Sequence, residues 1–176
     1  EEFPAFRRFR IGAVGIGALL DGPSLAGAIR FRVQPGAETV MEVQATLFPR
    51  RALRELGLAA ASSMFWFNAG HPADPRPAVH DSDLLAWEDA AGERRVRPLD
   101  NPGAPRITDI ALPAPRGFGL LQRRRGAEAF ADPEARYGDR PSLWVEPIGD
   151  WGAGTLRLLE LPARDEYHDT IALAWQ

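Results

Sequence analysis

The sequence predicts an all-β fold, an antiparallel sandwich built from many short strands. Sixteen prolines and 17 glycines in 176 residues interrupt the chain so often that long helices have little room. Several segments alternate apolar and polar residues, the periodicity of a half-buried strand. These segments follow one another across tight turns, as neighbouring antiparallel strands do.

The clearest element is a β-hairpin. Residues 25–33 end in alternation, with apolar side chains at 29, 31 and 33 and arginines between them. Residues 39–48 alternate as well, and the intervening segment 34–37, Gln-Pro-Gly-Ala, is a turn sequence. We therefore expect 25–33 and 39–48 to pair.

The rest of the chain predicts further short strands and very little helix. One or two helical turns are expected at 50–58, closed by Gly57. About ten strands are expected in all, arranged in a single domain, 1–176, without internal repeats. Besides the hairpin, they are 63–67, 84–87, 94–97, 107–112, 118–122, 143–147, 155–161 and 170–175.

Composition excludes several classes of function. The net charge of −3 argues against a nucleic-acid partner, because no surplus of basic residues is available to displace counterions. The chain lacks cysteine, which excludes disulfides, thiolate metal sites and a thiol nucleophile. No apolar run is long enough to span a membrane. His71, His80 and His168 form no recognised metal-binding motif, so we predict neither a metal nor a cofactor.

Motifs that resemble one known family follow one another along nearly the whole chain. In order they are LAGAIRF (25–31) with PGAET (35–39), SSMFWF (62–67), RPAVHDSD (76–83), RPLDNP (97–102), RGFGLLQR (116–123), RPSLWVEP (140–147) with GDWG (149–152), and ELP (160–162) running on to DEYHD (165–169). Their order and spacing resemble the OpgG/OpgD (MdoG/MdoD) family of periplasmic glucan biosynthesis proteins.

This resemblance implies a fold and a location. The family is expected to have a large N-terminal sandwich of the galactose-mutarotase-like kind, followed by an immunoglobulin-like domain. The chain resembles the second half of that sandwich, with the immunoglobulin-like domain absent, and a homodimer in the periplasm is the expected assembly. Local loops depart from the family pattern: 10–19 is short, Leu84 replaces a usual glycine, and Arg124 stands where an acidic residue is more usual.

The resemblance also implies inverting hydrolysis of β-1,2-glucan, which needs one carboxylic acid and one carboxylate. Asp169 is expected to be the general acid. Asp81 is expected to be the base, acting through bound water and substrate hydroxyls, and both should face one groove. Glu166 is expected to bind sugar and to help keep the acid protonated by like-charge repulsion. The remaining predicted sugar-binding residues are Asp83, Arg76, Trp151, Tyr137 and His80.

Each of these residues also has a purely structural interpretation. Residues 81–83 match an Asx-turn that opens a strand, and 165–169 reads as a solvated loop. His80 is interpreted more readily as a buried, satisfied core residue than as an orienting partner of Asp81. At least three of the five tryptophans are expected to be core.

Three functional hypotheses therefore follow from the sequence. The first is the glucan hydrolase. The second is a non-catalytic scaffold that holds glucan for a membrane glycosyltransferase. The third is a structural fragment without activity of its own.

Overall fold

The fold is antiparallel and nearly all β. The computed structural model describes residues 2–13 and 15–176, in which fourteen strands and two three-residue 3₁₀ turns, Ala127–Ala129 and Tyr137–Asp139, are the regular elements. Every strand pairing is antiparallel. The predicted all-β class is confirmed, whereas the galactose-mutarotase-like subtype stays a prediction. Contacts divide the chain into two compact units that meet in sequence at Glu55 and Leu56; the single-domain assignment also stays a prediction.

The first unit is a four-stranded sheet in sequence order. Its strands are β1 (Ala5–Gly12), β2 (Gly15–Asp21), β3 (Leu25–Gln34) and β4 (Val40–Pro49). The predicted hairpin is confirmed, because β3 and β4 pair over their whole length, from Leu25 opposite Pro49 to Gln34 opposite Val40. Strands β1 and β2 were not predicted as separate elements.

One face of this sheet is almost entirely apolar. Neighbouring strands place Ile11, Ile16, Phe31 and Val43 in one cross-strand row. Several side chains on this face are exposed, with Ile11 81% exposed, whereas Ala18 is buried and Phe31 is half-buried. Ile11, Ile16 and Phe31 help to line an apolar depression of about 310 Å³.

The helical turn predicted at 50–58 is wrong. The segment Arg-Ala-Leu-Arg-Glu-Leu contains strong helix formers, yet residues 50–57 contain no helix, and β5 begins at Leu58. Arg50 and Arg51 are fastened to the β2–β3 turn instead. The Arg50 backbone N–H donates to the Ser24 carbonyl at 2.8 Å, and Arg51 Nε donates to Ser24 Oγ at 2.5 Å. These tertiary bonds override the local propensity.

The second unit contains two four-stranded sheets and a two-stranded ladder. Its strands in chain order are β5 (Leu58–Ser63), β6 (Phe65–Phe67), β7 (Val79–His80), β8 (Leu84–Glu88), β9 (Arg94–Pro98), β10 (Arg106–Leu112), β11 (Gly117–Leu121), β12 (Leu143–Val145), β13 (Gly154–Glu160) and β14 (Ile171–Trp175). One sheet has the order β10–β13–β14–β5 and the other the order β12–β11–β8–β9, while β6 pairs with β7. Seven of the predicted strands appear within two residues of their expected ends. The strand predicted at 63–67 is interrupted at Met64, and neither β5 nor β7 was predicted.

The two sheets share one apolar core and so form a sandwich. Leu85, Phe118 and Leu120 come from one sheet and pack in the same cluster as Leu158 and Trp175 from the other. The rings of Phe118 and Trp175 stack at 6.5 Å between centroids. Burial of these alternate side chains explains the period-2 pattern of β13 and β14.

A buried carboxylate ties the two sheets together at one edge. Glu160, at the end of β13, is completely buried. Its carboxylate accepts hydrogen bonds at 2.8 Å from Arg97 of β9 and from Arg106 of β10, and at 3.1 Å from the Asp100 backbone. Burial opposes ionisation, but the donors from Arg106 and Arg97 keep the pKa of Glu160 below its usual value. Glu160 is therefore ionised and bonded at neutral pH.

We expect Glu160→Gln to lower the free energy of unfolding by about 3 kcal/mol, because it leaves two arginines facing a neutral group in a buried site. Urea unfolding of the intact protein at pH 7 measures this change. Asp109→Asn is the matched control: Asp109 of β10 is paired with Arg157 at 2.7 Å on an exposed surface, where such pairs contribute about 1 kcal/mol or less. Equal destabilisation by both variants would contradict the proposed role of Glu160.

Candidate functional site

The candidate site is organised around the interruption at Met64, where the chain leaves β5 and begins β6. We call residues 62–65 the Met64 junction. The Ser63 carbonyl accepts a hydrogen bond from the Thr170 backbone, and the Thr170 hydroxyl bonds to the backbone of Phe65. On the other side, the Asp81 N–H donates to the Met64 carbonyl at 2.9 Å. The residue before β14 and the residue after β7 are thus fixed to the same short segment.

Two candidate carboxylates, Asp81 and Asp169, are attached to this junction in different environments. Asp169 is exposed, and its Oδ2 accepts a hydrogen bond from Ser62 Oγ at 2.5 Å. The Asp81 side chain is 28% exposed, with its Oδ1 buried and 3.4 Å from Arg140 Nε. Burial raises the pKa of Asp81, Arg140 opposes that shift, and the negative charge of Asp169 adds to it. The two carboxylates are therefore near enough to interact electrostatically.

Glu166 belongs to a second cluster, centred on Arg76. Arg76 Nη1 donates to Glu166 Oε2 at 2.7 Å and to Asp132 at 2.6 Å, while Nη2 donates to Asp74 at 2.6 Å. These bonds, the one to Asp74 foremost, raise the pKa of Arg76. The Tyr137 hydroxyl also donates to Glu166 Oε2, at 2.7 Å. Arg76 therefore offsets part of the Glu166 charge while also pairing with Asp74 and Asp132, and this weakens the like-charge effect expected from the sequence.

The two aromatic residues predicted to bind sugar, Tyr137 and Trp151, are largely covered by other side chains. Tyr137 is 3% exposed, and burial together with its bond to Glu166 raises the pKa of its hydroxyl. Trp151 is half-buried and packs edge-on against Phe118 of the core. The half-buried indole of Trp66, a residue not predicted for the site, lies 5.8 Å from the Arg76 guanidinium.

Other contributors to the site were missed at the sequence level. Asn101 joins the loop before β14 to β6, since its side-chain amide donates to the Trp66 and Ala163 carbonyls at 2.9 Å. Tyr167 is 82% exposed in that same loop. Ser62 and Trp66 lie in the motif SSMFWF, and Asn101 lies in RPLDNP. The family motifs therefore indicated these segments of the chain, but they did not predict the hydrogen bonds that these residues make.

Asp83 is buried and bonded to Arg123. Its two carboxylate oxygens accept hydrogen bonds from Arg123, from the backbone at 3.1 Å and from Nε at 2.9 Å. Its backbone bonds to Leu121 and Leu99. This arrangement is typical of a structural ion pair, so we leave Asp83 out of the site proposed below, and its predicted sugar contact stays a prediction.

His80 is completely buried in an aromatic environment. Its ring stacks on Phe65 at 5.3 Å and meets Phe130 edge-on at 5.1 Å. Among the described residues neither ring nitrogen has a hydrogen-bond partner. It is thus buried, as the structural interpretation expects, but it is unsatisfied by protein groups and makes no hydrogen bond to Asp81.

Two further observations concern ions and membranes. Within residues 2–13 and 15–176, no three His, Asp or Glu side chains are grouped as a metal ion requires. No helix in that part of the chain is long and apolar enough to cross a membrane.

Comparison with known proteins identifies relatives along the whole chain. A family model described as "Periplasmic glucan biosynthesis protein, MdoG" matches residues 1–176. A glucans biosynthesis protein G from Rhodopseudomonas palustris (strain BisA53) is 46% identical over 99% of this chain and 37% of its own length. The proteins of that name from Shewanella sp. (strain W3-18-1) and Shewanella frigidimarina are 46% and 47% identical over the whole chain and 34% and 33% of their own lengths. The chain therefore spans about a third of the curated relatives it matches.

The environment of His80 predicts a pH-dependent stability. Burial lowers the pKa of His80 to about 4, against the opposing charge of Asp83. The unfolded chain binds a proton at this side chain below about pH 6.5, whereas the folded chain stays neutral until about pH 4. The unfolded state thus binds more protons within this window, and stability falls as the pH falls, by up to about 1.4 kcal/mol per unit.

We expect His80→Phe to remove this dependence while preserving the aromatic packing. Urea unfolding of the intact protein between pH 7 and pH 5 measures the slope, and His71→Gln, at an exposed histidine, is the control. A slope that is unchanged in His80→Phe would mean that His80 is not the responsible group.

Proposed function

The chain belongs to the family of periplasmic glucan biosynthesis proteins described by the MdoG model, and from that membership we propose that it carries the catalytic carboxylates of an inverting β-1,2-glucan endo-hydrolase. The proposed site of action is the periplasm. The observation that carries the proposal is the pair of carboxylates, Asp81 and Asp169, fixed on either side of the Met64 junction in unequal environments.

Inverting hydrolysis needs two carboxyl groups in unequal environments. One carboxyl group must be protonated to donate to the leaving oxygen, and the other must be ionised to activate water on the opposite face of the sugar. Two carboxylates whose surroundings separate their proton affinities can divide these roles at one pH. A pair of equivalent surface carboxylates would both be ionised.

The environments favour a division of roles opposite to the one expected from the sequence. Asp81 is half-buried and its pKa is raised, so it is the better proton carrier. Asp169 is exposed and accepts a hydrogen bond from the Ser62 hydroxyl, a setting suited to an ionised carboxylate that activates water. We therefore assign Asp81 as general acid and Asp169 as general base.

The Arg76 cluster supplies a binding surface beside this pair. Glu166 lies three residues before Asp169, and its carboxylate is oriented by Arg76 and Tyr137. A carboxylate held in this way can accept hydrogen bonds from sugar hydroxyls. The indole of Trp66 is half-buried beside the Arg76 guanidinium, and aromatic rings of this kind can pack against the apolar face of a sugar. We assign Glu166, Arg76 and Trp66 to substrate binding and positioning.

A scaffold that binds glucan for a membrane glycosyltransferase is the second candidate. The observation that favours it is Arg140, whose Nε lies 3.4 Å from Asp81 Oδ1 and opposes protonation there. If Arg140 keeps Asp81 ionised once glucan is bound, the site can hold sugar without cutting it.

Substitution of either carboxylate distinguishes the two candidates. We expect Asp81→Asn and Asp169→Asn in the intact protein each to slow β-1,2-glucan cleavage by at least about 10²-fold, because general acid–base assistance contributes about 10²–10⁴-fold. Reducing-end release measures cleavage, and affinity electrophoresis in glucan-containing gels measures binding, which both variants should retain.

Asp165→Asn is the matched control, since Asp165 lies in the same loop and its contacts are to Tyr167 and His168. An aryl β-1,2-gluco-oligosaccharide separates the roles: its good leaving group needs no proton, so it should restore cleavage by the Asp81 variant but not by the Asp169 variant. Restoration in the opposite variant would reverse the assignment. An unmutated protein that binds glucan and never releases reducing ends would establish the scaffold instead.

A further inference from the structure

The polar face of the first sheet contains a groove that the glucan site does not use. Side chains alternate between the two faces of each strand, so this face lies opposite the apolar one. Cross-strand pairing places Arg10 opposite Gly17, Gly17 opposite Arg30, and Arg30 opposite Gln44. Two arginines therefore flank a glycine that has no side chain to fill the space between them.

The next row completes the groove. It contains Arg8, Leu19, Ala28 and Thr46, each opposite the next. Gly17 and Ala28 leave space between the longer side chains of Arg8, Arg10 and Arg30, and the depression has a volume of about 650 Å³. We call this depression the Arg8–Arg10–Arg30 groove.

The three arginines of the groove are not neutralised by the part of the chain that the structure describes. Arg8, Arg10 and Arg30 are exposed, and none of their guanidinium groups has an ion pair or hydrogen bond among residues 2–13 and 15–176. The nearby acidic residues are paired elsewhere: Glu42 lies 3.6 Å from Arg32, and Asp21 is bonded to Arg50. The groove thus concentrates positive charge in a chain whose net charge is negative.

We propose that the Arg8–Arg10–Arg30 groove binds a phosphate group, with Arg10 and Arg30 holding it from opposite sides of Gly17. Arg10 and Arg30 lie two strands apart, so their backbones are separated by roughly 10 Å. Two extended arginine side chains that lean towards each other can span this distance. Guanidinium groups bind phosphate oxygens in bidentate pairs, which are among the strongest hydrogen bonds in proteins. A neutral sugar needs no such concentration of cations, so the preferred ligand is an anion.

Three variants test the proposed phosphate site. Arg10→Gln combined with Arg30→Gln removes the charge from both sides, and Gly17→Val blocks the space between them without changing any charge. A Cβ at Gly17 meets only the Arg10 carbonyl, at 4.0 Å, so the sheet accommodates the added side chain. Arg32→Gln is the control, because Arg32 lies on the same strand and face but is paired with Glu42.

The experiment titrates the intact protein with inorganic phosphate by calorimetry and, separately, with vesicles of phosphatidylglycerol or phosphatidylcholine by co-sedimentation. We expect the double arginine variant and Gly17→Val each to weaken binding at least about tenfold, since bidentate charge-assisted bonds are lost. Arg32→Gln should change binding by less than about twofold, as for other exposed pairs.

The two arms identify the source of the phosphate. Saturable binding of inorganic phosphate indicates a soluble ligand, and binding only to phosphatidylglycerol vesicles indicates a lipid headgroup. Either kind of binding supports the proposed site if the double arginine variant and Gly17→Val lose it. The proposal is overturned if neither probe binds, or if Arg32→Gln weakens binding as much as the groove variants do.

Discussion

The satisfaction of backbone hydrogen bonds at the Met64 junction is the constraint on which the candidate site depends. A chain that leaves one sheet and joins another ladder must find new partners for its backbone groups. Here those partners come from Thr170 on one side and Asp81 on the other. The same bonds that complete the sandwich therefore bring two carboxylates from distant parts of the sequence to one segment. A shift of one residue in this pairing would turn the side chains to the opposite face.

Carboxylates in the second unit differ in how completely they are bonded, and this difference supports the roles that we propose for them. Glu160 and Asp83 are buried with donors on both oxygens, so each is committed to holding strands together. Asp81 is also largely withdrawn from water, but its buried Oδ1 has no hydrogen-bond partner in the described structure. An unsatisfied buried acceptor is costly unless it is protonated or bound by a ligand. Asp81, whose Oδ1 has only the ion pair with Arg140 at 3.4 Å, therefore keeps an acceptor for a proton or a ligand, which supports the role that we propose for it.

Sequence patterns predicted the secondary-structure elements that are determined by their own residues rather than by contacts with distant parts of the chain. Alternation located β13, whose alternate side chains are buried in the core, and the β3–β4 hairpin, whose apolar side chains share one face of the first sheet. The helical prediction failed at 50–58, where the bonds of Arg50 and Arg51 to a distant turn decide the conformation. The two-residue strand β7 is too short to show a period. Asp81 and Asp169 were selected by family resemblance, whereas the partners that set their environments, Ser62 and Arg140, are brought in by tertiary pairing and could not be read from spacing.

The asymmetry of Asp81 and Asp169 also bears on how glucan binding would prepare the site. A sugar chain lying over the Met64 junction would exclude water from Asp81, which is already partly withdrawn from it, and further burial favours the neutral acid. The more exposed Asp169 would keep both the Ser62 hydroxyl as donor and access to a water molecule. Substrate binding would then reinforce the difference that already exists in the free protein. A protein that only holds glucan needs carboxylates as hydrogen-bond acceptors, and a carboxyl group that tends towards protonation serves that purpose less well than an ionised one.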